Sequence, residues 1–395
     1  MHKLENSGAA IVDEPIMNLV AFMKLSPFSV SLLFLVFISL PISIWGYMSG
    51  QDSADLSSLS FFENLSWPVA INFIFPLFLY VSLQFYYLLP RLMVSLVDLC
   101  EVGASNNLPK NEIYNQITRW HRNKLIPRAL IFIVFVFAVV NAGQLLNQGF
   151  TGWMTEGVYF SFLSTQGSGF TGLGIFALCI EFVMMYWVLL FFIQNVMLIM
   201  AIKLVFHNRA WRVRYEPGHP DRCCGFKLVG DVALRTYIGL TILGVYLIIK
   251  IYDKIFIQDV ALSDDFKGVI FVSIYLLIAP LLFHFLIFYC HKFMRRERAK
   301  LLEPVFLLYG KYIVGIQNIS SHKTPEQLIN NIVAQEQAIT ALGKRIPIYP
   351  FRFVFSSILT VLAPMFSLIL TVGLVLLKNG LLALKAAYLL GAMPG

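Results

Sequence analysis

The sequence predicts an all-α polytopic membrane protein with about seven transmembrane helices, its amino terminus inside and its carboxyl terminus outside. Of its 395 residues, 58% are apolar and only 13% are charged, and the mean hydropathy is +0.73. A water-soluble globule cannot bury that much apolar surface. Seven stretches exceed the roughly 18 residues expected of a transmembrane helix. They cover approximately 28–49, 67–90, 126–146, 174–203, 233–257, 268–291 and 353–377.

The cations of the connecting segments predict the orientation. Loops 50–66 and 147–173 contain no Lys or Arg, and 258–267 contains only Lys267. The connections that alternate with these loops are cationic, as expected where Lys and Arg are retained in the cytoplasm. The net charge of +8 is mostly this retention signal, and it leaves a cytoplasmic face that attracts anions. We expect a multi-pass membrane protein, in contact with membrane lipids.

Two domains are predicted. The first is an N-terminal cytoplasmic segment over 1–27, and the second is the transmembrane domain over 28–395. Several predicted helices continue beyond the apolar core, so we expect a helical collar in the cytoplasm, of a kind that commonly holds oligomers together. The extensions that would form it are 91–125, 204–232 and 292–352.

The N-terminal segment contains an amphipathic helix. Its apolar residues align on one helical face, and Pro15 stands in its first turn. They are Ile16, Leu19, Val20 and Met23. Such a helix either lies on the inner leaflet or packs under the bundle, where it would obstruct a pathway.

The seventh stretch, FVFSSILTVLAPMFSLILTVGLVLLK, carries a stripe of hydroxyl side chains. At 100° per residue the stripe spans an arc of about 60°, with one cation near each end. Its members are Ser356, Thr360, Ser367 and Thr371, with Arg352 and Lys378 at the ends. Around a shared axis, the stripe would line a mildly polar pore that favours anions. Alternatively, the hydroxyls bond within their own helix or fill close helix contacts.

Two opposite charges are predicted inside the membrane. Glu181 and Lys250 each lie about 10 Å from the outer end of their helices. Because an unpaired charge is costly there, we expect them to form a structural ion pair. The alternative is a transport path that also includes His284.

The hinge, residues 203–235, separates two apolar blocks and is dense in cations. Its candidate contacts for an anion or a nucleic acid are Arg209, Arg212, Arg214, Arg222 and Lys227. The run His219-x-Asp221-x-Cys223-Cys224 lacks the paired spacing of a zinc site, so we expect no metal. The chain has no nucleophile–base set and no phosphate-binding glycine loop, so we expect neither an enzyme nor a cofactor.

The hinge run HPDRCCGFKLVGDVAL resembles an H-P-D-x-x-x-G-F/L-x-x-L/V-G-D pattern of bacterial inner-membrane proteins. In size and layout, the chain resembles the membrane effectors of Hailong anti-phage systems. That resemblance implies a tetrameric, anion-selective channel, held shut by a single-stranded DNA oligomer that a partner nucleotidyltransferase makes. The layout is also similar to that of insect odorant receptors, which implies a pore lined by the last helix.

The sequence therefore favours a ligand-gated ion channel formed by several copies of the chain, with inorganic ions as its cargo. A regulatory anion, a nucleotide or single-stranded DNA would act on the cytoplasmic face, and an antiviral role follows from the Hailong resemblance. One alternative is a secondary transporter, although the internal repeat typical of transporters is missing. Another is a membrane scaffold or sensor.

Overall fold

The computed structural model describes most of the chain between residues 25 and 318 and a few isolated positions beyond. The described ranges are 25–50, 66–102, 109–147, 171–208, 210–217, 219–221, 223–253 and 266–318, together with single residues between 330 and 346. Two predicted features lie outside these ranges, namely the amphipathic helix with Ile16 to Met23 and the seventh apolar stretch with its hydroxyl stripe.

The described residues are mostly helical. Helices α1 and α2 each contain a π-helical turn between two α-helical parts. The parts of α1 are Pro27–Phe34, Leu35–Ser39 and Leu40–Gly50, and the parts of α2 are Ser66–Val69, Ala70–Ile74 and Phe75–Asp98. The others are α3 (Lys110–Thr118), α4 (Leu125–Asn147), α5 (Gly172–His207), α6 (Lys227–Tyr252) and α7 (Phe266–Asn318).

Six described helices are long and apolar enough to cross a membrane. They overlap the first six stretches predicted from the sequence, and the candidate spans run over Pro27–Met48, Ser66–Asp98, Leu125–Gly143, Gly172–His207, Lys227–Tyr252 and Leu277–Leu307. With 36 residues, α5 is about 54 Å long, well beyond the ~30 Å of a hydrocarbon core. α7 is longer still and continues past the sixth apolar stretch to Asn318.

The π-helical turn of α2 follows from Pro76. In this turn, Phe75 N–H bonds to the carbonyl of Ala70, five residues back, and so leaves the carbonyl of Ile71 free. Pro76 has no N–H that could take over this carbonyl. Instead, the buried Ser39 of α1 donates its hydroxyl to Ile71 O at 2.7 Å. The two π turns therefore meet and join α1 to α2.

The core lies where α2, α5 and α6 pack together. Phe78, Phe85, Trp187 and Phe191 are each buried, with Phe191 edge-on to Phe78 at a centroid distance of 5.4 Å. Gly239 of α6 permits this arrangement, because a Cβ there would lie 2.9 Å from the ring of Phe191. This interior is filled by side chains along much of its length.

The described chain departs from an all-helical fold at one place, a short antiparallel ribbon. Strand β1 (Cys100–Val102) pairs with β2 (Trp211–Val213), and Arg214 N–H continues the pairing to Leu99 O at 2.8 Å. β1 lies within the predicted extension 91–125, which is therefore two helical pieces separated by a strand. The ribbon joins the end of α2 to the hinge, and we call this end of the bundle the charged end.

Candidate functional site

The hinge contains a carboxylate that organises the backbone. Asp221 accepts hydrogen bonds from the N–H groups of Cys223 (2.8 Å), Gly225 (3.2 Å) and Lys227 (3.2 Å). His219 Nδ1 lies 2.9 Å from the same carboxylate. Burial alone would raise the pKa of Asp221, but these hydrogen bonds outweigh burial and hold the pKa below its usual range. Asp221 is therefore an anchor for the start of α6.

The residues after Asp221 form a tight turn at Cys224 and Gly225. Cys224 and Gly225 have φ values of 57° and 89°. A side chain at Gly225 would meet Leu99 Cδ2 at 2.8 Å, so only glycine fits both the conformation and the space. The turn brings Phe226 into the core and lets α6 begin at Lys227, six residues before the predicted apolar stretch. The H-P-D-x-x-x-G-F pattern thus has a structural explanation.

Burial disfavours the thiolate form of two cysteines at this end. Burial raises the pKa of Cys100 to about 12, and burial also raises the pKa of Cys224, which bonds to the hydroxyl of Tyr215. Since the thiolate is the nucleophile, neither sulfur is suited to covalent chemistry. In the ranges given above, no group of three or more His, Cys, Asp or Glu side chains is arranged to hold a metal ion.

The predicted anion contacts of the hinge differ in their electrostatic surroundings. Arg214 Nε lies 2.6 Å from Glu216 Oε1 and 3.6 Å from Glu101 Oε1, so its charge is already balanced. Arg212 and Lys227 are exposed and form no ion pair with the described residues. Arg209 and Arg222 lie outside the described ranges. Of the five predicted cations, two are therefore described and available to an anion.

The structure brings further cations beside the hinge that the sequence analysis did not select. Phe293 of α7 packs against Phe206, Tyr215 and Phe226. The exposed cations next to it on α7 are Lys292, Arg295 and Arg296. The signal was present in the sequence as the run HKFMRRERAK, but its proximity to the hinge depends on how α7 packs.

Glu181 and Lys250 meet at one tyrosine near the opposite end of the bundle. The Lys250 ammonium donates a hydrogen bond to the Tyr246 hydroxyl, and its Nζ lies 5.8 Å from the centre of that ring. Tyr246 also lies within electrostatic range of Glu181 and Asp253. The structure thus brings the two predicted charges to the same tyrosine, and their direct ion pair stays a prediction.

Two further polar residues lie close to this tyrosine. Ser66 at the start of α2 donates its hydroxyl to Asp253 Oδ2 at 2.8 Å, and both side chains are buried. Sequence analysis did not select Asp253, although the predicted stretch 233–257 includes it. We call Glu181, Tyr246, Lys250, Asp253 and Ser66 the intramembrane cluster.

His284, the third member of the alternative transport path, stands elsewhere. Its side chain is exposed on α7, and its ring contacts Phe285 and Phe288 of the same helix at centroid distances of 5.7 and 5.4 Å. Among the described contacts, none joins it to the intramembrane cluster. His284 is therefore no part of a continuous Glu–Lys–His path in the described bundle.

A group of neutral polar side chains links α5 to its neighbours. Thr236 of α6 donates its hydroxyl to Asn195 Oδ1 at 2.5 Å, while Asn195 Nδ2 donates to Phe191 O at 2.8 Å. Next to Asn195, Gln194 Oε1 lies 2.5 Å from His121 Nδ1. We call these four residues, His121, Gln194, Asn195 and Thr236, the polar layer. All four are buried.

His121 is the titratable member of the polar layer. It lies in the connection between α3 and α4, outside the apolar spans, and is 3% exposed. Burial lowers the pKa of His121 to about 4, although the hydrogen bond with Gln194 opposes this shift. Its Nε2 has no hydrogen-bond partner among the described residues. The imidazole is therefore neutral at pH 7.

No protein-family model, no curated protein and no solved structure matches the chain. The resemblances to Hailong effectors, to bacterial inner-membrane proteins and to odorant receptors therefore stay expectations.

Proposed function

We propose that the chain is an oligomeric, anion-conducting channel of a bacterial inner membrane. It would be gated from the cytoplasmic side by a regulatory anion or oligonucleotide and would serve as an anti-phage effector. The assembly would be a tetramer, with the amino terminus and a helical collar inside the cell and the carboxyl terminus outside. The amphipathic helix over residues 13–26 would obstruct the pathway at rest.

The observation that carries this proposal is the hydroxyl stripe of the stretch 353–377 with a cation near each end. Hydroxyl groups can replace part of an ion's hydration shell, and cations at both mouths favour anions. The stripe is one helix face wide, so it encloses a pore only when several copies surround an axis. The pore-lining residues would be Ser356, Thr360, Ser367 and Thr371, with Arg352 and Lys378 at the mouths.

The packing of the described helices supports a pathway between copies. The interior formed by α2, α5 and α6 is filled by large side chains such as Phe78, Trp187 and Phe191. A hydrated path through these residues would require the core to open, at the cost of buried apolar contacts. A path lined by a helix outside this core requires no such change.

The charged end supports gating by an anion. Arg212 and Lys227 are exposed and carry no ion pair within the described part of the chain. A polyanion that contacts several such cations would bind in a strongly salt-dependent way. The balanced Arg214 would contribute less to this contact.

Recording from the purified full chain in planar bilayers tests the proposal. We expect unitary currents that reverse near the equilibrium potential of chloride. The double variant Ser367→Leu/Thr371→Leu should reduce the unitary conductance several-fold, because it removes two rings of hydroxyls from the pore wall. The matched control is Thr241→Leu, whose hydroxyl bonds to Tyr237 O of its own helix and lies outside the stripe.

The outcomes separate the possibilities. Currents that are unchanged in the double variant would remove 353–377 from the pore. A loss as large in Thr241→Leu would show that the effect is not specific to the stripe. Absence of unitary currents from correctly assembled protein would end the channel proposal.

One observation favours the second candidate, a secondary transporter. The intramembrane cluster holds two carboxylates, an ammonium, a phenol and a hydroxyl within the helical bundle, and ionisable groups in transmembrane segments mark ion and proton pathways. Solute-coupled proton uptake into proteoliposomes, abolished by Glu181→Gln and present without unitary currents, would favour the transporter over the channel.

A further inference from the structure

One face of α7 changes from apolar to cationic along its length. Leu277, Leu281 and Phe285 are 64%, 43% and 38% exposed. Further along the same face come three exposed cations, Lys292, Arg295 and Arg296. At 100° per residue, all six residues fall within about 100° of arc. We call this face the α7 stripe.

The neighbouring helix α5 adds to the cationic half of the stripe. His207 of α5 contacts Tyr289 of α7 edge-on at a centroid distance of 5.4 Å. Lys203 lies one turn before His207 on α5, and Lys292 lies one turn after Tyr289 on α7. Both lysines therefore flank the same contact, where the two helices meet.

Each of the two lysines directly follows a long uncharged run. The segment 182–202 of α5 contains no charged residue, and Lys203 is the first cation after it. In α7 no Lys, Arg, Asp or Glu occurs over 268–291, and Lys292 follows. Runs of 21 and 24 residues span about 31 and 36 Å, which is close to the thickness of a hydrocarbon core. Both ammonium groups are thus expected at the headgroup level.

Among the described residues, these cations lack protein counterions. Within the described residues, Lys203, Lys292, Arg295 and Arg296 form no ion pair, whereas Lys110 and Arg214 at the same end pair with carboxylates at 3.2 and 2.6 Å. Lys292 Nζ instead lies 5.8 Å from the centre of the Phe288 ring. A cationic site at headgroup depth, continuous with exposed apolar side chains, complements an amphiphile with an anionic head.

We propose that the α5–α7 contact binds the headgroup of an anionic phospholipid. Lys203 and Lys292 hold the phosphate beside the hydroxyl of Tyr289, and the acyl chains lie along Leu277, Leu281 and Phe285. A free phosphate or a nucleic acid would engage only the cationic half of the α7 stripe. The site is independent of the proposed channel function, since it follows from the packing of α5 against α7.

The experiment titrates the full chain, purified in detergent, with phosphatidylglycerol and with phosphatidylcholine of the same acyl chains. The readout is the thermal unfolding midpoint, together with lipid retention in native mass spectrometry. We expect phosphatidylglycerol to bind preferentially. The double variant Lys203→Gln/Lys292→Gln should weaken that binding roughly thirtyfold, since each lysine near the headgroups contributes roughly a factor of five.

Two variants serve as controls. Arg119→Gln/Arg128→Gln removes two exposed cations from another part of the surface and should bind phosphatidylglycerol like the wild type. Lys203→Arg/Lys292→Arg keeps both charges and should retain most of the affinity, which excludes misfolding as the cause of any loss.

Several results would overturn the proposal. One is equal binding of the two lipids, and another is an equal loss of affinity in the Arg119→Gln/Arg128→Gln control. Stabilisation by inorganic phosphate as large as that by the lipid would show that the apolar half plays no part. Displacement of phosphatidylglycerol by a single-stranded oligonucleotide would assign the surface to nucleic acid.

Discussion

The hinge and the polar layer both rely on side-chain hydrogen bonds, but they use them differently. In the hinge, the carboxylate of Asp221 satisfies three backbone N–H groups of a turn that has no regular secondary structure. In the polar layer, the hydroxyl of Thr236 and the amide of Asn195 join two helices whose backbone bonds are already made. The hinge bonds therefore determine the path of the chain, and the layer bonds adjust how two finished helices pack.

This comparison predicts that the polar layer destabilises the folded protein only in acid, where its buried histidine has to bind a proton. Because burial lowers the pKa of His121 to about 4, the unfolded chain binds this proton more tightly than the folded one. The contribution of a neutral His121 to the free energy of unfolding is complete above pH 6.5. It is lost as the pH falls from 6.5 towards 4. The loss amounts to roughly 3 kcal/mol across that window.

The unfolding midpoint in detergent, measured between pH 7 and pH 4, checks this. His121→Gln should flatten the decline, while His284→Gln, a substitution of an exposed histidine, should leave the decline as in the wild type. An identical pH profile for His121→Gln and the wild type would contradict the buried neutral imidazole.

The hinge should be the more sensitive region to substitution at neutral pH. Asp221→Ala leaves the N–H groups of Cys223, Gly225 and Lys227 without their acceptor, and we expect a loss of about 2 kcal/mol. Asp231→Ala is the matched control, because Asp231 belongs to the same sequence run but forms no hydrogen bond or ion pair with the described residues. Equal midpoints for the two variants in thermal unfolding at pH 7 would refute the anchoring role of Asp221.

The sequence predicted the long helices well. Apolar runs specify helices in a membrane almost by themselves, since the backbone must satisfy its own hydrogen bonds there. The continuation of α7 to Asn318 followed from its lack of strong breaking signals other than Pro304, which this helix accommodates. The start of α6 at Lys227 precedes the apolar stretch that begins at 233, and it depends on the bonds from Asp221, which the sequence did not indicate.

Tertiary contacts explain what the sequence could not predict. The strands CEV and WRV are three residues long, and nothing in either run indicates that the end of α2 meets the hinge. Gln194 and Asn195 were a usable signal, as adjacent amides in an otherwise apolar helix, but their partners His121 and Thr236 come from other elements. For the same reason the cations of α7 were not grouped with those of the hinge.

The smallest expected effect on the unfolding midpoint is that of a substitution in the polar layer. Thr236→Val removes the hydroxyl that bonds to Asn195 but preserves the shape of the side chain, and hydrogen bonds between membrane helices average only about 0.6 kcal/mol. The midpoint at pH 7 should therefore fall slightly, by less than in Asp221→Ala. The midpoint should fall less still in Thr241→Val, because the hydroxyl of Thr241 bonds within α6. A loss in Thr236→Val as large as in Asp221→Ala would mean that the layer, too, determines the fold, because Asn195 would then find no substitute partner between the helices.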